Sequence, residues 1–155
     1  MVNVGGKEST PRYAAAQALV TMQPTTLEVI LAHELEKGDV FACARLAGIV
    51  AAKRTPEWIP LCHPIPLDSV EVFLEPQGNN QVQIRSKVRT VWRTGVEMEA
   101  MTAVSAAALT IYDMCKGIDR GIEIGPILLL EKSGGRSGHF VRNSTMDGDG
   151  YARSI

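Results

Sequence analysis

The feature that constrains this fold most is a long segment without proline. Residues 95–116, GVEMEAMTAVSAAALTIYDMCK, contain no glycine after Gly95. The middle of the segment is rich in alanine, namely Ala100, Ala103, Ala106, Ala107 and Ala108. Because alanine has the highest helix propensity, the segment predicts a helix of about six turns. We expect the rest of the chain to pack around this central helix.

The charged residues of the central helix lie at its two ends. Glu97 and Glu99 are in the first turn and Lys116 is in the last, where each charge matches the helix dipole. Helix stability therefore explains these three residues as well as a functional role does. Asp113 is different, because a carboxylate in the last turn faces the negative end of the dipole. Such an acid indicates a nearby cation, a ligand or a chemical task.

Length and composition limit the class of protein. The chain has 155 residues, the size of one domain with a sizeable core. Hydrophobic residues make up 45% and the net charge is −1, so neither nucleic-acid binding nor disorder is indicated. With no charged-then-apolar leader and no apolar run of about 18 residues, we expect neither secretion nor a membrane partner. Three scattered cysteines are typical of a reduced, cytoplasmic protein.

Two helices are predicted before the proline-rich part of the chain. Residues 13–22 fit a helix by their alanines and a strand by their apolar alternation, so their structure stays open. A T-x-x-E capping box at 25–28 starts the first helix, and Gly38 ends it. Asp39 caps the second helix, 40–54. We expect the apolar face of this second helix to include Val40, Cys43, Ala47 and Val50.

A stiff loop follows the second helix. Its prolines are Pro56, Pro60, Pro64 and Pro66. They interrupt every turn, so residues 56–68 are predicted to be non-helical. The loop carries Cys62 and His63, and its stiffness reduces the entropy lost when these side chains hold a ligand.

The remaining elements complete an α+β fold. Apolar alternation predicts strands at 70–75 and 82–89, joined by a turn. After the central helix, residues 122–130 are rich in β-formers and predict a last strand, which the glycine-rich loop 131–138 follows. This order predicts an antiparallel sheet with helices on one face, close to a β-α-β-β-α-β arrangement.

Cations and acids occur together in loops and at helix ends. The cations are Arg12, Lys37, Lys53, Arg54, Lys116, Lys132 and Arg136. The residues that can move protons near them are Glu99, Asp113 and His63. Together these residues suit chemistry on a phosphorylated small molecule. A solvated surface charge remains the more frequent explanation for any single cation.

Two common kinds of site are disfavoured. Adjacent Cys62 and His63 point to opposite sides of an extended segment, and no second ligand pair has zinc-finger spacing. We therefore expect no metal site. The glycine-rich loop is not a nucleotide-binding P-loop, because Lys132 precedes the glycines. The residues by themselves indicate an anionic ligand and leave open whether the protein is an enzyme.

Several long motifs resemble those of one known family. The motifs are KGDV (37–40), ARLAGIVAAKRT (44–55), IPLCHPIPL (59–67), GVEMEAMTA and LTIYDMCK in the central helix, and KSGGRSG (132–138). In this order they resemble the molybdenum cofactor biosynthesis protein C (MoaC) family, the cyclic pyranopterin monophosphate synthases. The resemblance implies a ferredoxin-like two-layer sandwich in which residues 13–22 form a strand. It makes residues 1–140 a single catalytic domain and leaves 141–155 as a polar, flexible tail.

The resemblance also implies a reaction. Family members convert 3′,8-cyclo-7,8-dihydroGTP to cyclic pyranopterin monophosphate and release pyrophosphate, so we expect a phosphorus-oxygen lyase. They form homohexamers, built as trimers of dimers with active sites at the dimer interfaces. We expect no cofactor, and the sequence leaves open whether Mg²⁺ accompanies the triphosphate.

The site residues come from the positions that match the family. The resemblance implies that the catalytic residues are Asp113, Lys116, His63 and Lys37. It implies that the substrate-binding residues are Leu61, Cys62, His63, Met98, Glu99, Arg12, Lys53 and Lys132. Lys116 lies one turn beyond Asp113 and is expected to keep that acid ionised. Glu99 and Asp113 are about 21 Å apart along a helix, so they act on one ring only if two chains share a site.

Three positions depart from the family pattern or lack a role in it. Asn3 stands where the family has Asp, and Arg136 stands where Lys is commoner, so the role of Arg136 is open. His139 matches no family role. The alternative to an enzyme is a non-catalytic nucleotide- or pterin-binding protein with the same pocket. The presence of all the matched catalytic residues argues against it.

Overall fold

A computed structural model describes residues 1–143 of the chain. Within them, the strands are β1 (Thr10–Thr21), β2 (Ser69–Gln77), β3 (Gln81–Trp92), β4 (Glu123–Ser133) and β5 (Phe140–Val141). The helices are α1 (Pro24–Leu31), α2 (Val40–Lys53), α3 (Thr55–Trp58) and α4 (Glu97–Cys115). The helix predicted for residues 95–116 is α4, and the strands predicted on either side of the turn at 76–80 are β2 and β3.

The strands form one antiparallel sheet in the order β2-β3-β1-β4-β5. The long helix α4 packs against β1, β3 and β4, and α2 packs against β2 and α4. Both long helices therefore cover the same face of the sheet. This confirms the predicted α+β sandwich and the strand at 13–22. The short edge strand β5 was not predicted, because two residues carry no periodicity.

The core lies between α4 and the sheet and is built from small side chains. On β1, the alternating residues Ala14 and Ala18 are fully buried. On α4, Ala103 and Ala107 are fully buried in the same apolar cluster. Small side chains on both elements allow the helix to lie close to the sheet.

The crossing of α2 and α4 is also close. A Cβ on Gly48 of α2 would lie 2.8 Å from the carbonyl oxygen of Ala103, so this position has no room for a side chain. The buried residues of α2 are Val40, Ala44, Gly48, Ala51 and Ala52. The prediction that Cys43, Ala47 and Val50 face the core was therefore wrong, since Cys43 and Val50 are exposed and Ala47 is only partly buried. The helix therefore contacts the core through a face that is made mainly of alanine and glycine.

The first helix starts earlier and ends sooner than predicted. It begins at Pro24 rather than at the capping box, and Gln23 is the residue that precedes its first turn. The carboxylate of Asp119 accepts a hydrogen bond from the backbone N–H of Gln23 at 2.9 Å and so satisfies a group that the start of the helix leaves free. It ends two residues before His33, whose φ of 57° is left-handed. The helix therefore stops well before Gly38.

The flanks of α2 show one confirmed and one wrong prediction. Asp39 caps α2, since its Oδ1 accepts a hydrogen bond from Ala42 N at 2.9 Å, as predicted. The prediction that residues 56–68 contain no helix was wrong at their start, where α3 forms one turn. Pro56 lies in the first turn of α3, where a backbone N–H would have no hydrogen-bond partner within the helix, so proline is tolerated there.

The strand β5 is the last regular element among residues 1–143. The predicted boundary at 140 falls inside this strand, and Arg142 N still donates to the carbonyl of Leu130 at 2.7 Å. Residues 144–155 of the predicted tail lie outside the described residues. Among residues 1–143, we find no helix with the length and apolarity needed to cross a membrane.

Candidate active site

The central helix separates the predicted site residues into two groups. Met98 and Glu99 lie in its first turn and Asp113 lies in its last. The separation of Glu99 and Asp113 corresponds to about 21 Å along the axis. We call one group the Asp113 cluster (Asp113, Lys116 and Lys37) and the other the Glu99 cluster (Met98, Glu99 and the loop residues 61–63).

In the Asp113 cluster, one carboxylate lies between two lysines. Lys116 Nζ is 2.6 Å from Asp113 Oδ1, and Lys37 Nζ is 3.2 Å from Asp113 Oδ2. Lys37 Nζ also donates to the backbone carbonyl of Asp113 at 2.8 Å. Hydrogen bonds from Lys116 and then Lys37 lower the pKa of Asp113, and Asp113 in turn raises the pKa of Lys116. The predicted ion pair is confirmed, and the two cations explain an acid at the negative end of the helix dipole.

A buried carboxylate fastens the start of α1 to the segment that follows α4. Asp119 is 2% exposed, and its Oδ2 accepts hydrogen bonds from Gln23 N at 2.9 Å and Thr26 Oγ1 at 3.1 Å. Its Oδ1 accepts from Gly121 N at 2.9 Å. The bond from Gln23 contributes most to lowering the pKa of Asp119. Asp119 was not predicted, because Gln23 and Thr26 are more than 90 residues away in the chain.

Apolar surface surrounds the Asp113 cluster. A groove of about 450 Å³ between α2, α3 and α4 is lined by Asp113 together with Trp58 and Leu109. Trp58 is 50% exposed and Leu109 is 53% exposed. A second depression of about 650 Å³ is lined by Lys37 and Lys116. Exposed apolar side chains next to a charged cluster indicate a surface that another molecule covers.

The Glu99 cluster is built around a buried acid. Glu99 is 2% exposed, and within residues 1–143 its Oε1 has no hydrogen-bond partner. Burial is the main reason that the pKa of Glu99 is raised to about 7, with a smaller contribution from Glu97. Such a carboxyl group can donate and accept a proton near neutral pH. The position of Glu99 in the first turn of the helix indicated a favourable interaction with the helix dipole, but its burial was not predicted.

The loop residues of the Glu99 cluster have different environments. Burial and the nearby Glu99 raise the pKa of Cys62, so its thiol stays protonated and is not a prepared nucleophile. His63 Nε2 lies 2.7 Å from the carbonyl oxygen of Val2. Because a carbonyl can only accept, this nitrogen carries the proton. Leu61 is exposed, and its side chain is free to contact a ligand.

A cationic cavity of about 710 Å³ lies beside the first turn of α4. We call it the arginine cavity; its charged lining residues are Lys7, Glu8, Arg12, Arg93, Glu97 and Arg136. Of its cations, only Arg12 was predicted to bind substrate, whereas Lys7 and Arg93 were missed. They meet because β1 and β3 pair through Thr10 and Trp92, which places the residues at these strand ends together. Four cations around one cavity indicate an anionic ligand.

Two predicted cations lie away from this lining. Lys132 Nζ donates to Ser137 Oγ and closes the glycine-rich loop on itself. Lys53 is exposed at the end of α2, and its side chain has no hydrogen bond or ion pair among residues 1–143. Lys53 is not among the residues that line the arginine cavity.

The positions that depart from the family pattern have local partners. Asn3 Oδ1 accepts a hydrogen bond from Gly5 N at 2.8 Å, and His139 Nε2 lies 2.8 Å from Glu131 Oε1. Arg136 lines the arginine cavity with Arg12.

Within residues 1–143, no three His, Cys, Asp or Glu side chains are grouped closely enough to hold a metal ion.

Comparison with known proteins decides the family. The model of the MoaC family matches residues 1–135. The chain belongs to the MoaC family. The matched residues contain both clusters and every cation of the arginine cavity except Arg136.

Curated relatives of this MoaC chain match nearly all of it. A protein of Pelotomaculum thermopropionicum named cyclic pyranopterin monophosphate synthase is 56% identical over 143 residues, covering 92% of this chain and 84% of that protein. A Roseiflexus protein of the same name is 58% identical over 144 residues, covering 92% and 91%. Cyclic pyranopterin monophosphate synthase 3 of Mycobacterium bovis is 57% identical over 143 residues, covering 92% and 81%.

Proposed function

We propose that this chain is a cyclic pyranopterin monophosphate synthase, as its relatives are named. It converts 3′,8-cyclo-7,8-dihydroGTP to cyclic pyranopterin monophosphate and releases pyrophosphate, as a phosphorus-oxygen lyase. The observation that carries the proposal is a pair of carboxyl groups in opposite surroundings: Asp113 lies between two lysines, whereas Glu99 is buried and its Oε1 has no hydrogen-bond partner within residues 1–143.

Asp113 and Glu99 suit opposite proton transfers. Lys116 and Lys37 lower the pKa of Asp113, so this carboxylate is ionised, as a proton acceptor must be, although the lower pKa also makes it a weaker base. Burial raises the pKa of Glu99 to about 7, so this carboxyl group holds a proton that it can donate. Environments that separate two pKa values in this way are typical of acid–base sites. Opening and rebuilding a ring system requires both kinds of transfer.

Cations are proposed to bind and neutralise the phosphates. A triphosphate carries several negative charges, and the four cations of the arginine cavity match that demand. Lys37 and Lys116 neutralise charge at the reacting end, which makes pyrophosphate a better leaving group. The remaining substrate-binding residues proposed from the family match are Leu61, Cys62, His63, Met98, Lys53 and Lys132, with His63 also catalytic.

The separation of the clusters supports a site shared between two chains. A spacing of about 21 Å prevents Glu99 and Asp113 of one chain from reaching the same ring. The apolar residues Trp58 and Leu109, each about half exposed, offer a surface for a second copy beside Asp113. We therefore propose a homo-oligomer in which Asp113 of one chain faces Glu99 of the next. The proposed stoichiometry, a hexamer built as a trimer of dimers, is what the family resemblance implies.

No resident cofactor is proposed, and Mg²⁺ bound to the triphosphate would enter as part of the substrate. A cytoplasmic location is proposed because Cys43, Cys62 and Cys115 are all free thiols, which suits a reducing compartment.

The test combines an activity assay with subunit exchange. Wild-type protein is incubated with the cyclised GTP substrate, and release of pyrophosphate and pterin product is expected. Absence of product from folded protein would favour a nucleotide- or pterin-binding protein without turnover. The inactive variants Glu99→Gln and Asp113→Asn are then mixed under conditions that exchange subunits.

In a shared site, mixed dimers carry one intact and one doubly damaged site, so activity returns. The matched control mixes Asp113→Asn with Lys116→Met. These two lesions lie in the same cluster, so every site of a mixed dimer stays damaged. If the first mixture remains as inactive as the control, each chain builds its site alone.

A further inference from the structure

The guanidinium group of Arg12 is held at the edge of the arginine cavity by backbone carbonyls. Arg12 lies on β1, opposite Thr90 of β3. Its Nε donates to the carbonyl of Trp92 at 3.2 Å, and its Nη2 donates to the carbonyl of Arg93 at 3.4 Å. The other N–H groups of the five on a guanidinium remain available to an anion in the cavity.

The glycine-rich loop lies directly against this arginine. A Cβ built on Gly135 would overlap Arg12 Nη1 and would lie 2.6 Å from Arg12 Cζ. A Cβ on Gly134 would overlap the carbonyl oxygen of Pro11. Both glycines have left-handed backbone, with φ of 96° at Gly134 and 72° at Gly135. A side chain at Gly134 would therefore collide with backbone, whereas one at Gly135 would push the guanidinium group of Arg12 aside.

We propose that Gly135 is a positioning residue for triphosphate binding and acts by confining the Arg12 guanidinium between the loop and the carbonyls of Trp92 and Arg93. The inference rests on the proposed function, because it assigns Arg12 to the triphosphate. Arg12 and Gly135 both line the arginine cavity, so the confined group faces the space in which the anion lies.

Confinement affects binding through entropy and geometry. A free arginine side chain loses rotamer freedom when it grips a phosphate, whereas a confined one has already lost it. The planar fork also makes two parallel hydrogen bonds only when its plane is correctly oriented. Displacing the guanidinium therefore weakens anion binding, although the charge stays in the chain.

The chain offers a matched control for the substitution. Gly138 belongs to the same loop and has a φ of 65°, close to that of Gly135, but a Cβ there would meet nothing within 4 Å. Gly135→Ala and Gly138→Ala thus impose similar backbone strain, and only the first collides with Arg12. Inorganic triphosphate is titrated into each protein by calorimetry. We expect Gly135→Ala to bind about tenfold more weakly than Gly138→Ala.

Repeating both substitutions in an Arg12→Ala background identifies the route of the effect. Without the guanidinium there is no overlap, so Gly135→Ala and Gly138→Ala should then bind triphosphate equally. If Gly135→Ala alone does not fold, the double variant with Arg12→Ala is expected to fold, for the same reason. Equal affinities in the wild-type background, or an unchanged difference without Arg12, would overturn the inference.

The same titrations separate this inference from the proposed function. Wild-type protein that binds triphosphate but does not convert the cyclised GTP would refute the proposed enzyme only. Wild-type turnover with no difference between the two glycine variants would refute only the positioning role of Gly135.

Discussion

The carboxyl group of Glu99 should make the folded chain less stable as the pH rises, and replacing Glu99 with glutamine should remove this pH dependence. The pKa of Glu99 is raised by burial from its ordinary value of 4.5 to about 7 in the folded chain. Between these pH values the folded state keeps the proton and the unfolded state releases it. Because the folded state binds more protons, stability falls as pH rises through this window and levels off above it.

The size of the effect follows from the width of the window. At about 1.36 kcal/mol per pH unit, the interval from 4.5 to about 7 corresponds to about 3 kcal/mol. Most of this change, about 2–3 kcal/mol, lies between pH 5 and pH 8. Glutamine has no such titration, although its buried amide lowers stability at every pH by about 1–3 kcal/mol. The informative quantity is therefore the change with pH and not the stability at one pH.

Urea denaturation at pH 5, 6, 7 and 8, at one protein concentration, measures that change. The free energy of unfolding of the wild type should fall more steeply than that of Glu99→Gln, with a total difference of about 2–3 kcal/mol. Glu75→Gln, which changes an exposed glutamate on β2, controls for the loss of a carboxyl group and should follow the wild type. Parallel pH profiles for the wild type and Glu99→Gln would refute the argument that burial holds a proton on this residue.

Four further substitutions test the other parts of the site. Asp113→Asn should fold normally and lose about 10²–10⁴ in kcat, because an amide cannot exchange a proton; unchanged pyrophosphate release would remove Asp113 from the mechanism. Lys37→Met and Lys53→Met should each weaken GTP binding, measured by calorimetry, and the effect should be clearest at low salt. If both variants bind GTP with wild-type affinity, these lysines are surface charges with no role in binding. Asp119→Ala should lower the free energy of unfolding by about 2–4 kcal/mol, because Gln23 N and Thr26 Oγ1 lose a charged hydrogen-bond acceptor. The control is Asp68→Ala, which removes one exposed hydrogen bond to the backbone. If Asp119→Ala lowers stability no more than this control does, Asp119 does not fasten α1.

Local sequence signals were sufficient for the regular elements. The alanine-rich, proline-free segment specifies α4, alternation specifies β2 and β3, and Asp39 specifies the start of α2. The ion pair of Asp113 and Lys116 belongs to the same class, since one helical turn brings the two side chains together. Each of these features depends on residues close in the chain, so the pattern alone predicts it.

Motif resemblance supplied what local signals left open. Residues 13–22 have the alanines of a helix and the alternation of a strand, and only the family match assigned them to β1. The roles proposed for Lys53 and Lys132 also come from the motifs, because their side-chain positions in the described structure do not suggest a role in binding.

The tertiary structure decided the features that depend on distant partners. α1 begins at Pro24 because Asp119, four residues after the end of α4, accepts a hydrogen bond from the backbone N–H of Gln23, the residue before the helix. Glu99 is buried through packing of α4 and its neighbours, and the helix dipole alone would leave its pKa low. The arginine cavity forms because β1 pairs with β3 and the glycine-rich loop folds over Arg12. Helix and strand signals act over a few residues, whereas burial and charge clustering arise only when separate segments meet, so the chain's order does not reveal them.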